Sequence, residues 1–202
     1  MRAVVNAGNE TPLILAVDDS FDRLQLLHTA LLEAGFARIR LLNETTDLLQ
    51  KVVALRPDVI LMEVDSPSRD VLEQLNQVRD RQPTAVLMVS QDPQAQSIQA
   101  AVASGVCAYS VDGVSAEKVR PAVEVAMATF DSFRKLRIEL AEAKSKLSQH
   151  KRIDRAKHIL IEKKGMTEDE AHKALRKLSM DRKRKLVDVA DDLIALSDLF
   201  QN

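Results

Sequence analysis

A single cysteine stands in 202 residues, so no disulfide can form within the chain and no sulfur-ligated metal site can be built from it alone. That cysteine, Cys107, lies in GVCAYSV, a stretch with the character of a buried strand, and reads as an inert core thiol. No apolar run approaches the roughly 20 residues of a membrane span. The segment MRAVVNAGNE has no basic stretch leading into a long apolar core. Both absences lead to the expectation of a cytoplasmic protein without a membrane partner. Low-complexity tracts are missing as well. With 46% apolar residues and 29 Lys+Arg against 30 Asp+Glu, the chain is globular and long enough for one ordinary domain and a smaller companion.

The near-neutral total hides an uneven distribution. Residues 131 to 202 carry 18 Lys+Arg and 13 Asp+Glu, net +5, which leaves 11 and 17, net −6, for residues 1 to 130. A basic back joined to an acidic front points to nucleic acid as a partner of the back, with a solvated helical surface as the plainer alternative.

Short β-rich runs at 13 to 17, 37 to 42, 58 to 62, 84 to 89 and 106 to 111 alternate with stretches of helical period. Those stretches predict helices at about 22 to 34, 45 to 55, 69 to 81 and 93 to 104, and one beginning near Ser115. Five strands separated by helices imply an α/β domain with a parallel sheet covered on both faces. From Ser115 to Lys164 there is one proline, Pro121, and no glycine, so about 50 residues of unbroken helix are expected. Within it Phe133, Leu136, Leu140, Ala143 and Leu147 follow the 3-4 spacing of a coiled-coil seam, and a homodimer is the expected consequence. Gly165 closes this helix, Thr167 and Glu170 fit a capping box for a second helix, and Asp181 is placed to cap a third. The domains so read are 11–124, a linker helix over 125–150, and a three-helix bundle over 151–202.

Asp18 and Asp19 follow the first strand, and Glu63 is expected at the end of the third. In a sheet of order 2-1-3-4-5 those strands are neighbours, so three carboxylates converge on one crevice and demand a counter-charge. Converging oxygens suit a hard divalent ion such as Mg²⁺, with Asp18, Asp19 and Glu63 as candidate ligands; no cofactor is required. Ser90, ending the fourth strand, would offer a hydroxyl to a bound anion. On these residues the region resembles the receiver domain of two-component response regulators, which implies a flavodoxin-like fold. Two positions depart from that pattern. Glu63 stands where the family carries its phosphorylated aspartate, and Asp112, in YSVDG, where it carries a lysine. An added methylene misplaces the acceptor oxygen, and an anion in place of a cation repels phosphoryl oxygens. Three readings of Glu63 stay open: a natural pseudo-receiver, an engineered imitation of phospho-aspartate and a position that is still phosphorylated. The expected control is by a partner protein, such as a sensor that sequesters it, or by dimerisation.

Residues 146 to 188 hold 14 Lys+Arg and 7 Asp+Glu, and their cations border apolar positions instead of forming a tail. The stretch RIDRAKHILIEKKGMTEDEAHKALRKLSMDRKRKLVDVA resembles an ANTAR domain, an RNA-binding antitermination module, through Ala156-Lys157, Gly165, Glu170-Ala171, Leu175-Arg176, Met180 and Lys185-Leu186. His158 departs from the glycine common there. The combination is most similar to NasT-type regulators of nitrate and nitrite assimilation. It implies binding to leader mRNA that carries two hairpins, through Arg152, Lys157, Arg176, Lys177, Arg182 and Lys185. No Phe, Tyr or Trp lies between Arg134 and Leu199, so loop bases would meet arginine planes or aliphatic surface. Three other readings remain open. The first is a DNA-binding response regulator with a helix-turn-helix, which would lead its recognition helix with Glu168, Asp169 and Glu170. A phosphotransferase is the second, for which His28, His150, His158 and His172 share no triad or ligand spacing. The third is a purely structural dimer.

Overall fold

The protein is described by a computed structural model over residues 11–44, 46–111, 113 and 115–199. It divides into two compact units, Met1–Arg134 and Lys135–Asn202.

In the first unit, strands β1 (Leu13–Val17), β2 (Arg38–Leu42), β3 (Val59–Val64), β4 (Ala85–Ser90) and β5 (Ala108–Ser110) form one parallel sheet of order β2-β1-β3-β4-β5. Helices α1 (Phe21–Glu33), α2 (Leu48–Leu55), α3 (Arg69–Arg81) and α4 (Ala95–Ala103) connect the strands. Because side chains alternate along a strand, each central strand feeds two cores. Ile14, Ala16, Val59 and Leu61 pack with Leu24, Leu27 and Leu31 of α1, while Leu15, Val17, Ile60 and Met62 pack with Val52, Val71 and Leu75 of α2 and α3. This is the flavodoxin-like α/β arrangement that alternating apolar runs and helical stretches dictate.

The helix ends are set chemically. Ser20 and Ser68 accept from the backbone N–H of Arg23 and Val71 and so cap α1 and α3. Gly35, at φ +82°, turns the chain out of α1. There Arg120, from the following helix, donates to the Ala34 carbonyl from Nε at 2.8 Å and lies 4.8 Å over the Phe36 ring.

Helix α5 (Ala116–Lys164) is unbroken over 49 residues, and Pro121 falls early in it. Its first turns belong to the sheet unit: Val119, Val123 and Ala126 are buried, and Met127 and Phe130 pack against the same core. Gly165, at φ +65°, ends it by donating its N–H to the Ile161 carbonyl. In the second unit α6 (Glu168–Arg182) opens with a complete Thr167/Glu170 capping box and is followed by α7 (Leu186–Leu199). Ala156, Leu175, Val189 and Ala190 form its core, flanked by Ile153, Leu160, Leu186, Leu193 and Ile194.

Two expectations need correction. Glu63 lies within β3, not at its end, because pairing with β4 continues through Glu63–Val89 and Val64–Ser90. Asp181 caps nothing: with no glycine or proline to stop it, α6 runs through Asp181 to Arg182 and ends at Lys183, which adopts the left-handed conformation at φ +52°. Asp112 lies outside the described residues.

A core this small leaves little redundancy. Leu175→Ala is expected to cost about 3 kcal/mol of stability. Urea denaturation followed by helical circular dichroism would show loss of the second unit's transition, while the sheet unit retains its own.

Candidate functional site

The carboxyl edge of the sheet carries the first candidate site. Asp18 follows β1 directly and its side chain is fully enclosed. Continuing the β1–β3 register by one residue from Val17–Met62 sets Asp18 beside Glu63, on the face that Ala16 and Leu61 share. Two carboxylates on adjacent strands repel unless a cation intervenes.

Arg23, in the first turn of α1, is that cation. Its Nε donates to both Asp18 oxygens at 3.2 and 3.0 Å, and its Nη2 donates to Asp18 at 3.0 Å and to Asp19 at 2.7 Å. Nη1 reaches Asp65, beyond β3, at 2.5 Å. A cation near a helix N-terminus opposes the helix dipole, and three carboxylates outweigh that. The Asp18 bond above all, with all three carboxylates adding, holds the guanidinium well above the ordinary arginine range. Loss of a partner from a fully buried ion pair costs about 3–5 kcal/mol; because Arg23 is 30% exposed, about 2 kcal/mol is the appropriate scale here.

The crevice therefore brings together the expected Asp18 and Asp19 with Asp65 and Arg23, which sequence reasoning passed over. The Asp19 to Arg23 spacing of four residues on a helix start was the available signal. A divalent ion, expected from the convergence of these carboxylates, does not fit this arrangement. Both Asp18 oxygens already accept from Arg23, and no group of three metal-ligating side chains is assembled among the described residues. Glu63 is half-buried and makes no ion pair with the described residues. Burial, and then the neighbouring Asp18 and Asp65, raise its pKa against the opposing pull of Arg23.

Ser90 is buried and fully used. Its hydroxyl donates to the Asp65 carbonyl at 2.9 Å and accepts from the Asp92 N–H at 3.2 Å. Asp92 in turn accepts from the hydroxyls of Ser66 at 3.0 Å and Ser97 at 2.6 Å, and its carbonyl accepts from Tyr109 Oη at 2.9 Å. These bonds, Ser97 foremost, with the Gln94 N–H, hold the Asp92 carboxyl below the usual range. A continuous network thus ties the loops after β3 and β4 to β5.

The second candidate site is the basic surface of the helical unit. Its six expected cations fall into two groups. Arg152 pairs with Asp191 of α7 at 2.7 Å, and Lys157 bridges Asp154 and Glu168 at 2.8 Å each, so both bind helix to helix. Arg155 does the same through Asp198 of α7, and Arg184, in the turn after α6, pairs with Asp192 of α7. Arg176, Lys177, Arg182 and Lys185 are exposed on α6 and the turn after it, and none pairs with a described carboxylate. Around them Ser179 Oγ donates to the Arg184 carbonyl at 2.6 Å, fixing the turn, and Met180 is 68% exposed. The expected seam residues Phe133, Leu136, Leu140 and Leu147 all lie exposed on α5.

The response regulator receiver domain matches residues 14–124, more than half of the chain, and the ANTAR domain matches residues 141–194. The chain belongs to the response regulator receiver family, as a member that also carries an ANTAR domain. It is 26% identical over 179 residues to the transcriptional regulatory protein PdtaR of Mycobacterium tuberculosis, covering 89% of this chain and 87% of that protein. It is 36% identical over 63 residues to the nitrate regulatory protein of Klebsiella oxytoca, a match to 31% of this chain and 16% of that protein. Among solved structures, the chemotaxis response regulator CheY4 of Vibrio cholerae shares the receiver fold, with a TM-score of 0.51 at 24% identity over 58% of this chain and 99% of that one.

The raised Glu63 pKa yields a signed prediction. Between the unfolded and folded pKa values the native state holds more protons, so stability falls as pH rises through that window and the ionised side chain is a net cost at neutral pH. Glu63→Gln is expected to raise Tm at neutral pH by roughly 2 °C, a difference that shrinks on acidification. Thermal melts of both proteins across pH would check it; a lower Tm at neutral pH contradicts it.

Proposed function

We propose that the protein is an RNA-binding transcription antitermination regulator, in which the helical unit binds hairpins in leader mRNA and so prevents a terminator from forming. The observation that carries this is the division of the cations within the ANTAR match. Arg152 and Lys157 are consumed in building the unit, whereas Arg176, Lys177, Arg182 and Lys185 are left exposed and unpaired on one helix and its turn. Such cations neutralise phosphates, and arginine planes with the exposed Met180 offer a surface to unstacked loop bases where no aromatic is available. In this reading the RNA contacts narrow to the four unpaired residues, and Arg152 and Lys157 support them.

The exposed stripe of Phe133, Leu136, Leu140 and Leu147 is the seam through which two copies associate, and a dimer matches a two-hairpin target by avidity. The functional segments are then 11–124 as a pseudo-receiver, 125–150 as the dimerising helix and 151–202 as the RNA-binding part. Regulation comes from a sensor protein that sequesters the regulator. The partial likeness to the nitrate regulatory protein favours nitrate or nitrite assimilation genes as targets. No described helix is long and apolar enough to cross a membrane, and a cytoplasmic site of action suits a transcript ligand.

A DNA-binding reading is disfavoured by the start of α6. Glu168 is tied to Lys157 and Glu170 to the capping box, so the turn that would lead a recognition helix presents anions. In a gel-shift competition at matched salt, full-length protein is expected to prefer a leader RNA with paired hairpins over duplex DNA of equal length by at least about 100-fold. Lys185→Ala should weaken RNA binding and lower the salt dependence by about one counterion. Equal affinity for RNA and DNA would instead support the helix-turn-helix reading.

A further inference from the structure

The receiver crevice raises a question that the RNA-binding reading does not touch: what neutralises its carboxylates. Arg23 is held on three sides, by Asp18 from below, Asp19 from its own helix start and Asp65 from the loop after β3. Its bonds to Asp18 involve Nε and Nη2 together, a bidentate geometry that a planar guanidinium provides and an ammonium does not. The Asp65 arm joins this cluster to the loops, because the Asp65 carbonyl accepts from Ser90, Ser90 accepts from the Asp92 N–H, and Tyr109 closes on the Asp92 carbonyl.

We propose that the Arg23 guanidinium is the resident cation of this crevice, standing where a divalent ion would sit and, through Asp65 and the Ser90, Asp92 and Tyr109 bonds, holding the loops at the carboxyl edge in one arrangement with neither metal nor phosphoryl group. A single positive charge, where Mg²⁺ would bring two, is tethered to α1 and so held at an effective concentration no dissolved ion matches. An ion entering the crevice must displace a bidentate, largely desolvated pair, so the unmodified protein is indifferent to Mg²⁺. Removing the arginine side chain frees Asp18 and Asp19, and one or two carboxylates suffice for a Mg²⁺ ion that keeps its waters. Asp65, relieved of its partner, no longer anchors the loop.

Two variants of the full chain separate these effects. In thermal melts at constant ionic strength, the unmodified protein is expected to show the same Tm with and without about 10 mM MgCl₂. Arg23→Ala is expected to melt lower and to gain a saturable rise of roughly 5 °C from Mg²⁺. Asp65→Asn alters an exposed side chain that the fold tolerates and cuts only the loop arm. Hydrogen exchange at residues 65–68 and 91–97 is expected to quicken severalfold in it, while the sheet strands stay protected. Three results would each overturn the proposal: a saturable Mg²⁺ response in the unmodified protein, an Arg23→Ala protein that folds yet ignores Mg²⁺, or unchanged loop exchange in Asp65→Asn. Should Arg23→Ala fail to fold, the magnesium response of the unmodified protein and the Asp65→Asn exchange decide it alone.

Discussion

A carboxylate enclosed at the end of a central strand cannot stand alone. Asp18 is fully buried, and the β1–β3 register puts a second carboxylate, Glu63, beside it. The chain meets this constraint with Arg23, delivered by the first turn of the very helix that Asp18 helps to start by accepting the Ser20 N–H at 2.7 Å. Much of the carboxyl edge follows from that one pair. The guanidinium draws in Asp65, Asp65 fixes Ser90, and Ser90 and Tyr109 fix the Asp92 turn. The polar groups at this edge are thus bonded to one another.

The helical unit obeys a related economy. Its core is only a few side chains deep, and apolar burial alone is too small to hold three helix segments. Arg152, Arg155 and Lys157 supply cross-helix ion pairs, and Arg184 ties the turn after α6 to α7, each pair partly exposed and individually modest. What remains after those pairs are made gives α6 and its turn their outward character: Arg176, Lys177, Arg182 and Lys185, with Lys173 and Lys183 also exposed beside them, and the exposed Met180. The apolar stripe on α5 is left over in the same sense, since neither unit's described core covers Phe133, Leu136, Leu140 or Leu147.

The sheet was legible because parallel strands buried on both faces are written as short apolar runs, and because Gly35 and Gly105 punctuate helices between them. The capping box at Thr167 and Glu170 is local and was equally readable. Contacts made between distant residues were not. Asp65 is 42 residues from Arg23, and Asp191 is 39 residues from Arg152, so nothing in the local pattern distinguishes a cation that meets nucleic acid from one that meets its own chain. Asp181 shows a different failure. A residue type that favours caps also tolerates a helix interior, and the αL turn at Lys183, which a glycine would ordinarily announce, carried no such mark.

We propose that the acidic edge, where Asp18, Asp19 and Asp65 already share Arg23, takes no phosphoryl group. Intact-mass spectrometry of the full chain after incubation with acetyl phosphate and Mg²⁺ tests this most directly. An unchanged mass is the predicted result. A stable gain of one phosphoryl group, mapped to Glu63, would contradict it.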